Sequence, residues 1–291
     1  MTERTNMTEE LEAAEGLFAG GQGELAAELL ERLAADAEEY VDKNCTATED
    51  DQWFSFPTPF ERLCYRRVEK DPRTLHDVGE PLDRLYSDLA FVLVSEGDYA
   101  AATEALRQAV RWNPMGCGYR LDLAELYRTN GDMNEYLALT YSVFERASDV
   151  RHLVRAFCNF ARHFMDTGAD ASVAACLRCA RRLDWADEVL DGLIERVKGT
   201  DRDPDTLTDE QAANIMAEEG LPEGANAEVA LCLLMCATDL APTDRQLATT
   251  LTVRARDLVG APAVKALLSL IREADAEGDG AADGGASDAD A

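Results

Sequence analysis

Between Val150 and Met165 the chain carries Arg151, Arg155, Arg162, His152 and His163 and no acidic residue. Arg155, Asn159 and Arg162 stand at i, i+4 and i+7, which places all three on one face of a helix. Guanidinium groups beside an amide can hold a carboxylate through charge-assisted, partly bidentate hydrogen bonds, so this face is a candidate anchor for an acidic peptide. The same arginines could instead pair with the chain's own acids on a solvated surface. What singles them out is contrast. Residues 150–183 hold 6 Arg against Asp166 and Asp170, in a protein of formal net charge −29.

Thiols supply a second candidate chemistry. Cys176-Leu-Arg-Cys179 is a C-x-x-C, and Cys158 and His163 could complete four ligands around a metal ion. Used without metal, the same pair would make a redox sensor. Cys232 and Cys236 lie four apart but far downstream, without the knuckle-like spacing of a second ligand pair. Small thiols packed inside Ala/Leu-rich helices explain all of them more simply, so no metal site or cofactor is expected. Nor is an enzyme. The sequence has no Gly-rich phosphate loop, no G-x-S-x-G and no H-E-x-x-H. Its three histidines, His76, His152 and His163, leave few general bases.

The charge is unevenly spread. Residues 1–52 hold 15 acids against 3 bases and residues 184–291 hold 24 against 8, while the middle is nearly balanced. Acidic ends disfavour bulk attraction to nucleic acid or to an anionic membrane. The first residues, MTERTNMTEELEAAEG, lack the apolar core of a secretory signal, and the longest apolar runs are too short to span a bilayer. A cytoplasmic protein with reduced thiols is expected.

The elements that must position these residues repeat. In LYSDLAFVLVSEGDYAAATEALRQAVRWNP a helix ends near Ser95, turns at Gly97-Asp98, and a second helix runs to Trp112, where Asn113-Pro114 stops it. Leu123, Ala124, Tyr127 and Gly131 each follow Leu89, Ala90, Leu93 and Gly97 by 34 residues. Phe160, Ala161, Phe164 and Gly168 follow 37 residues later. The alanines let paired helices approach closely, and the large residues fill the space one turn away. Tyr99 is placed to cover the open end of its hairpin.

A 34-residue helix-turn-helix with this small/large pattern resembles the tetratricopeptide repeat family. WFSFPTPFERLCYRR, AVRWNP, LAELYRTNGD and GLPEGANAEV, in that order, resemble an uncharacterised group of such proteins from anaerobic Gram-positive bacteria. The resemblance implies an all-α, right-handed α-solenoid. Residues 1–52 form an acidic degenerate hairpin and 53–82 a capping loop and helix. Residues 83–187 hold three hairpins (83–116, 117–150 and 154–187), 188–272 further degenerate hairpins, and 273–291 a disordered acidic tail. Thr58 and Glu61, and again Thr208 and Gln211, read as capping boxes. WFSFP reads as a packed loop, with an exposed docking loop as the alternative.

The family implies a concave groove lined by the first helix of each hairpin, where a partner segment lies. Its groove positions correspond here to Arg84, Ser87 and Phe91, then Leu121, Glu125 and Arg128, then Arg155, Cys158, Asn159, Arg162 and Met165. The chaperone-tail clamp of some family members is not matched, because Ser87, Phe91 and Asp122 stand where its basic and amide residues would be. The expected function is therefore a non-catalytic adaptor for a protein or peptide partner, acidic if the Arg/Asn face is used. A metal- or redox-sensing regulator using Cys176 and Cys179 is the alternative.

Overall fold

Glycine-aspartate turns set the architecture. Gly97 and Gly131 end their helices at φ 84° and 82°, a backbone region that strains side chains bearing a Cβ. The aspartate that follows starts the next helix: Asp98 accepts from the Ala101 amide and Asp132 from that of Glu135. A computed structural model describes residues 6–271, and in it the three predicted hairpins form as α4 (Leu82–Glu96) with α5 (Tyr99–Trp112), α6 (Cys117–Thr129) with α7 (Met133–Arg146), and α8 (Val150–Thr167) with α9 (Asp170–Arg182). Each packs against the next, through α5 on α6 and α7 on α8. The N-terminal hairpin, α1 (Met7–Ala19) and α2 (Gly23–Asn44), stacks α2 directly on α4. The chain is an α-solenoid of helix-turn-helix units. Tyr99 does not cover its hairpin; it is 45% exposed. The expected tail, 273–291, lies outside the described residues.

Two departures from a simple stack follow from α3 (Pro59–Glu69). Its N-terminus is the predicted capping box, with Thr58 and Glu61 each bonding the other's backbone. WFSFP is not wholly a loop. Asp51–Phe54 forms β1, which pairs in parallel with β2 (Thr74–Asp77), Trp53 opposite His76, so that β1–α3–β2 is a small crossover unit. Strands of four residues carry no readable period, which is why the sequence does not announce them. The helix between them turns away from the N-terminal hairpins and packs on α7 and on α12 (Ala227–Leu240).

The C-terminal helices thereby fold back. After α10 (Glu188–Val197) and α11 (Asp209–Glu218), α12 pairs with α13 (Arg245–Val259), and residues 261–271 are helical. Contacts converge on the α7–α8 junction. Arg254 Nε donates to the Ser148 carbonyl at 2.9 Å, Asn226 Nδ2 to that of Glu145 at 2.9 Å, and Arg146 to Glu69 at 2.8 Å. Two apolar cores result, one under α1, α2, α4 and α5 and one under α3 and α7 through α13.

One buried polar node joins the crossover unit to the first hairpin. Asp83, 4% exposed, accepts from Asn113 Nδ2 at 3.0 Å, Tyr119 Oη at 3.2 Å and Ser55 Oγ at 3.3 Å. The Ser55 amide donates to the Trp112 carbonyl at 2.9 Å, and its hydroxyl accepts from the Leu82 amide at 2.9 Å. Four elements meet at one carboxylate.

Candidate functional site

The first helices α4, α6 and α8 present the face on which the sequence placed its partner-binding residues. The arginines are there, and each has an acid. Arg155 Nη1 meets Asp122 Oδ1 at 2.6 Å, joining α8 to α6. Arg162 lies 3.9 Å from Glu125, whose other oxygen holds Arg128 Nε at 2.8 Å. Arg84 bonds Glu15 of α1 at 2.5 Å and stands 3.6 Å from Asp88. Beyond the face, Arg151 pairs with Asp149, Arg178 with Asp209, Arg181 with Asp205 and Arg182 with Glu223. The basic island is neutralised by neighbouring acids. These pairs are half-exposed, the Arg155 and Arg162 side chains both at 36%, so each contributes at most about 1 kcal/mol.

Asn159 departs from expectation. It is fully buried, its carbonyl accepts from Tyr136 Oη at 3.2 Å, and its Oδ1 accepts from Arg162 Nη1 at 3.3 Å. Its Nδ2 has no partner among the described residues. Asn159 therefore holds Arg162 from below and does not reach the groove. Leu121 and Cys158 are likewise core. Met165 is half-buried against the larger core, and Phe91 is 64% exposed. His152 adds little positive charge, because burial pushes it below its ordinary pKa, and half-buried His163 sits beside the Phe164 ring.

Close to the arginines lies a buried tyrosine of the second hairpin. Tyr136 is fully buried and close enough to Glu125, Arg128, Arg155 and Arg162 to feel their charges.

No family model matches the chain, and no curated protein does. Among solved structures, one that is similar in part can be described. It is a Podospora anserina protein described as a kinesin light chain with nearly identical TPR-like repeats, 17% identical to this chain, covering 88% of it and 96% of its own length at a TM-score of 0.39.

The thiols are placed for packing. Cys158, Cys176 and Cys179 are each at most 1% exposed. Burial pushes the Cys158 thiol up to about 12 and Cys179 to about 11, and raises Cys176 well above its usual value. Cys176 Sγ points to Met216 Sδ at 3.7 Å. Among the described residues no group of three or more His, Cys, Asp and Glu side chains is arranged to hold a metal ion. A buried, protonated thiol is a poor nucleophile. With a thiol-specific disulfide reagent, the native protein is expected to show less than about one fast-reacting thiol, and all eight in denaturant. Rapid labelling of Cys176 or Cys179 in the native state would contradict this.

Proposed function

We propose that the chain is a non-catalytic cytoplasmic adaptor that holds a segment of a partner protein against the face of α4, α6 and α8. The observation that carries this reading is the combination on one face of Phe91, the most exposed large apolar side chain among the described residues, with half-exposed interhelical ion pairs. An apolar anchor beside exchangeable polar pairs suits a segment that binds and leaves. Arg84, Arg128, Arg155 and Arg162 supply the polar contacts, and Phe91 and Met165 the apolar ones. An acidic segment would displace Asp122 and Glu125 from their arginines, exchanging one carboxylate for another. Among the described residues no helix is long and apolar enough to cross a membrane.

The test is recovery of partners from native lysate by wild type and by an Arg155→Glu/Arg162→Glu double variant, read by mass spectrometry. The variant is expected to keep its helicity and to lose less than about 1 kcal/mol per pair, because the pairs are half-solvated. A partner retained by wild type and lost by the variant supports the site. A partner retained equally by both places the interaction elsewhere.

A further inference from the structure

At the N-terminal end of the same face, α1 and α4 enclose a cleft of about 310 Å³ that no expectation covered. Ala14, Leu30 and Val92 form its apolar walls, all at most 2% exposed. Phe18 and Phe91 stand at the mouth, ring centroids 5.1 Å apart and edge-on. Glu15 and Asp88 supply two carboxylates, and Arg84 is the cation the structure places between them. Arg84 is committed to Glu15. Asp88 Oδ2, 3.6 Å from Arg84 Nε, is buried with no hydrogen-bond partner among the described residues. One carboxylate oxygen is thus left without a donor beside two aromatic rings.

Such a site is complementary to a cation on an apolar stem. Carboxylate and ring faces attract an ammonium together, and the aliphatic walls accept methylenes. A single orphan acceptor suits a compact ammonium better than a planar fork. We propose that a lysine side chain from a partner segment docks in this cleft, its ammonium on Asp88 and its stem against Leu30 and Val92. The adaptor reading supplies the source of that lysine, while the recognition itself depends on the cleft alone.

Burial, reinforced by the charge of Glu15 and by hydrogen bonding with it, and opposed by Arg84, pushes Asp88 up to about 7. The charged groups acting on it are Glu15 from α1 and Arg84 and Asp83 from α4. From α2 the cleft receives the uncharged Leu30.

The experiment titrates the full chain with a capped pentapeptide, acetyl-Gly-Leu-Lys-Leu-Gly-amide, and with its norleucine counterpart, followed by chemical-shift changes of the backbone amides. The lysine peptide is expected to perturb residues around Phe91 and to bind about tenfold more tightly than the norleucine peptide, the worth of one charge-assisted hydrogen bond. Asp88→Asn should abolish that difference. Phe91→Ser, at a position too exposed to threaten folding, should weaken binding severalfold. Wild-type affinity should fall as pH drops through about 7, where Asp88 takes up its proton, and the Asn variant should show no such fall. Equal binding of both peptides, or an Asp88→Asn variant that still prefers lysine, would overturn the proposal. Arg155→Glu/Arg162→Glu should leave peptide binding unchanged, so failure of the groove reading and failure of the cleft reading are separable.

Discussion

Tyr136→Ala is expected to lower the free energy of unfolding by about 4 kcal/mol, read as a fall in the urea midpoint at unchanged slope. The ring is fully buried between the second hairpin and α8, and its hydroxyl donates to the Asn159 carbonyl. Truncation leaves a cavity the size of a phenol ring in an interior that relaxes only partly. Tyr136→Phe keeps the packing and removes the hydrogen bond, so its cost should be about 1 kcal/mol. The difference between the two variants isolates the packing contribution. The alanine variant should also disturb the face, because Arg155 and Arg162 stand close enough to Tyr136 for their charges to act on it. A Tyr136→Ala protein within about 1 kcal/mol of wild type would mean the second and third hairpins are held apart by something else.

Asp83→Ala carries the second large effect, about 3 kcal/mol. The alanine leaves Asn113 Nδ2 and Tyr119 Oη without their acceptor in a buried setting, and unmade buried hydrogen bonds cost more than made ones contribute. It removes only the longest contact of Ser55, which stays held by the Trp112 carbonyl and the Leu82 amide. The pH dependence has a definite sign. Burial outweighs the hydrogen bonds from Asn113, Tyr119 and Ser55 and raises the carboxyl above its ordinary value of 3.8. A carboxyl raised in the folded state binds its proton more tightly there than in the unfolded chain. Its contribution is therefore fully present below the unfolded value and declines as pH rises through the folded one. The gap between wild type and Asp83→Ala should be wider near pH 4 than near pH 7, as measured by denaturant titration at both. A gap that widens with rising pH would refute the burial account.

How much of this was readable beforehand depends on distance along the chain. The three hairpins were legible because each is a local matter: a glycine that tolerates positive φ, in the first two an aspartate to start the next helix, and alanines at the contact. The fold-back was not. Phe60 and Arg254, whose guanidinium lies 5.5 Å from the ring, are nearly two hundred positions apart, and nothing in either stretch names the other. The candidate face was legible in direction but not in depth. Positions i, i+4 and i+7 do share an arc of α8. Arginine has the length to carry its charge from the edge of a helix interface out to water, whereas asparagine does not, so Asn159 is swallowed where Arg155 and Arg162 emerge. The acids that pair with them come from α6, 30 to 40 residues earlier, and the local count of 150–183 could not include them. Asp88 was invisible for a similar reason: in so acidic a chain one more aspartate is unremarkable until its oxygen proves to be without a donor.

The return of α12 to α3 alters how the molecule comes apart. An open stack of repeats contacts only its neighbours and can fray inward from either end, each unit leaving at its own small expense. Here the polypeptide is fastened to itself across some 170 positions, by α3 against α12 and by Arg67 to Glu228 at 3.2 Å. Loss of the C-terminal helices would strip the cover from α3 and from the start of α8 together, so the ends are not independent of the middle. Cooperativity that an open solenoid has to build unit by unit is supplied by a single closure. The same closure joins contacts distant in sequence, and it must form late in the search for the native state.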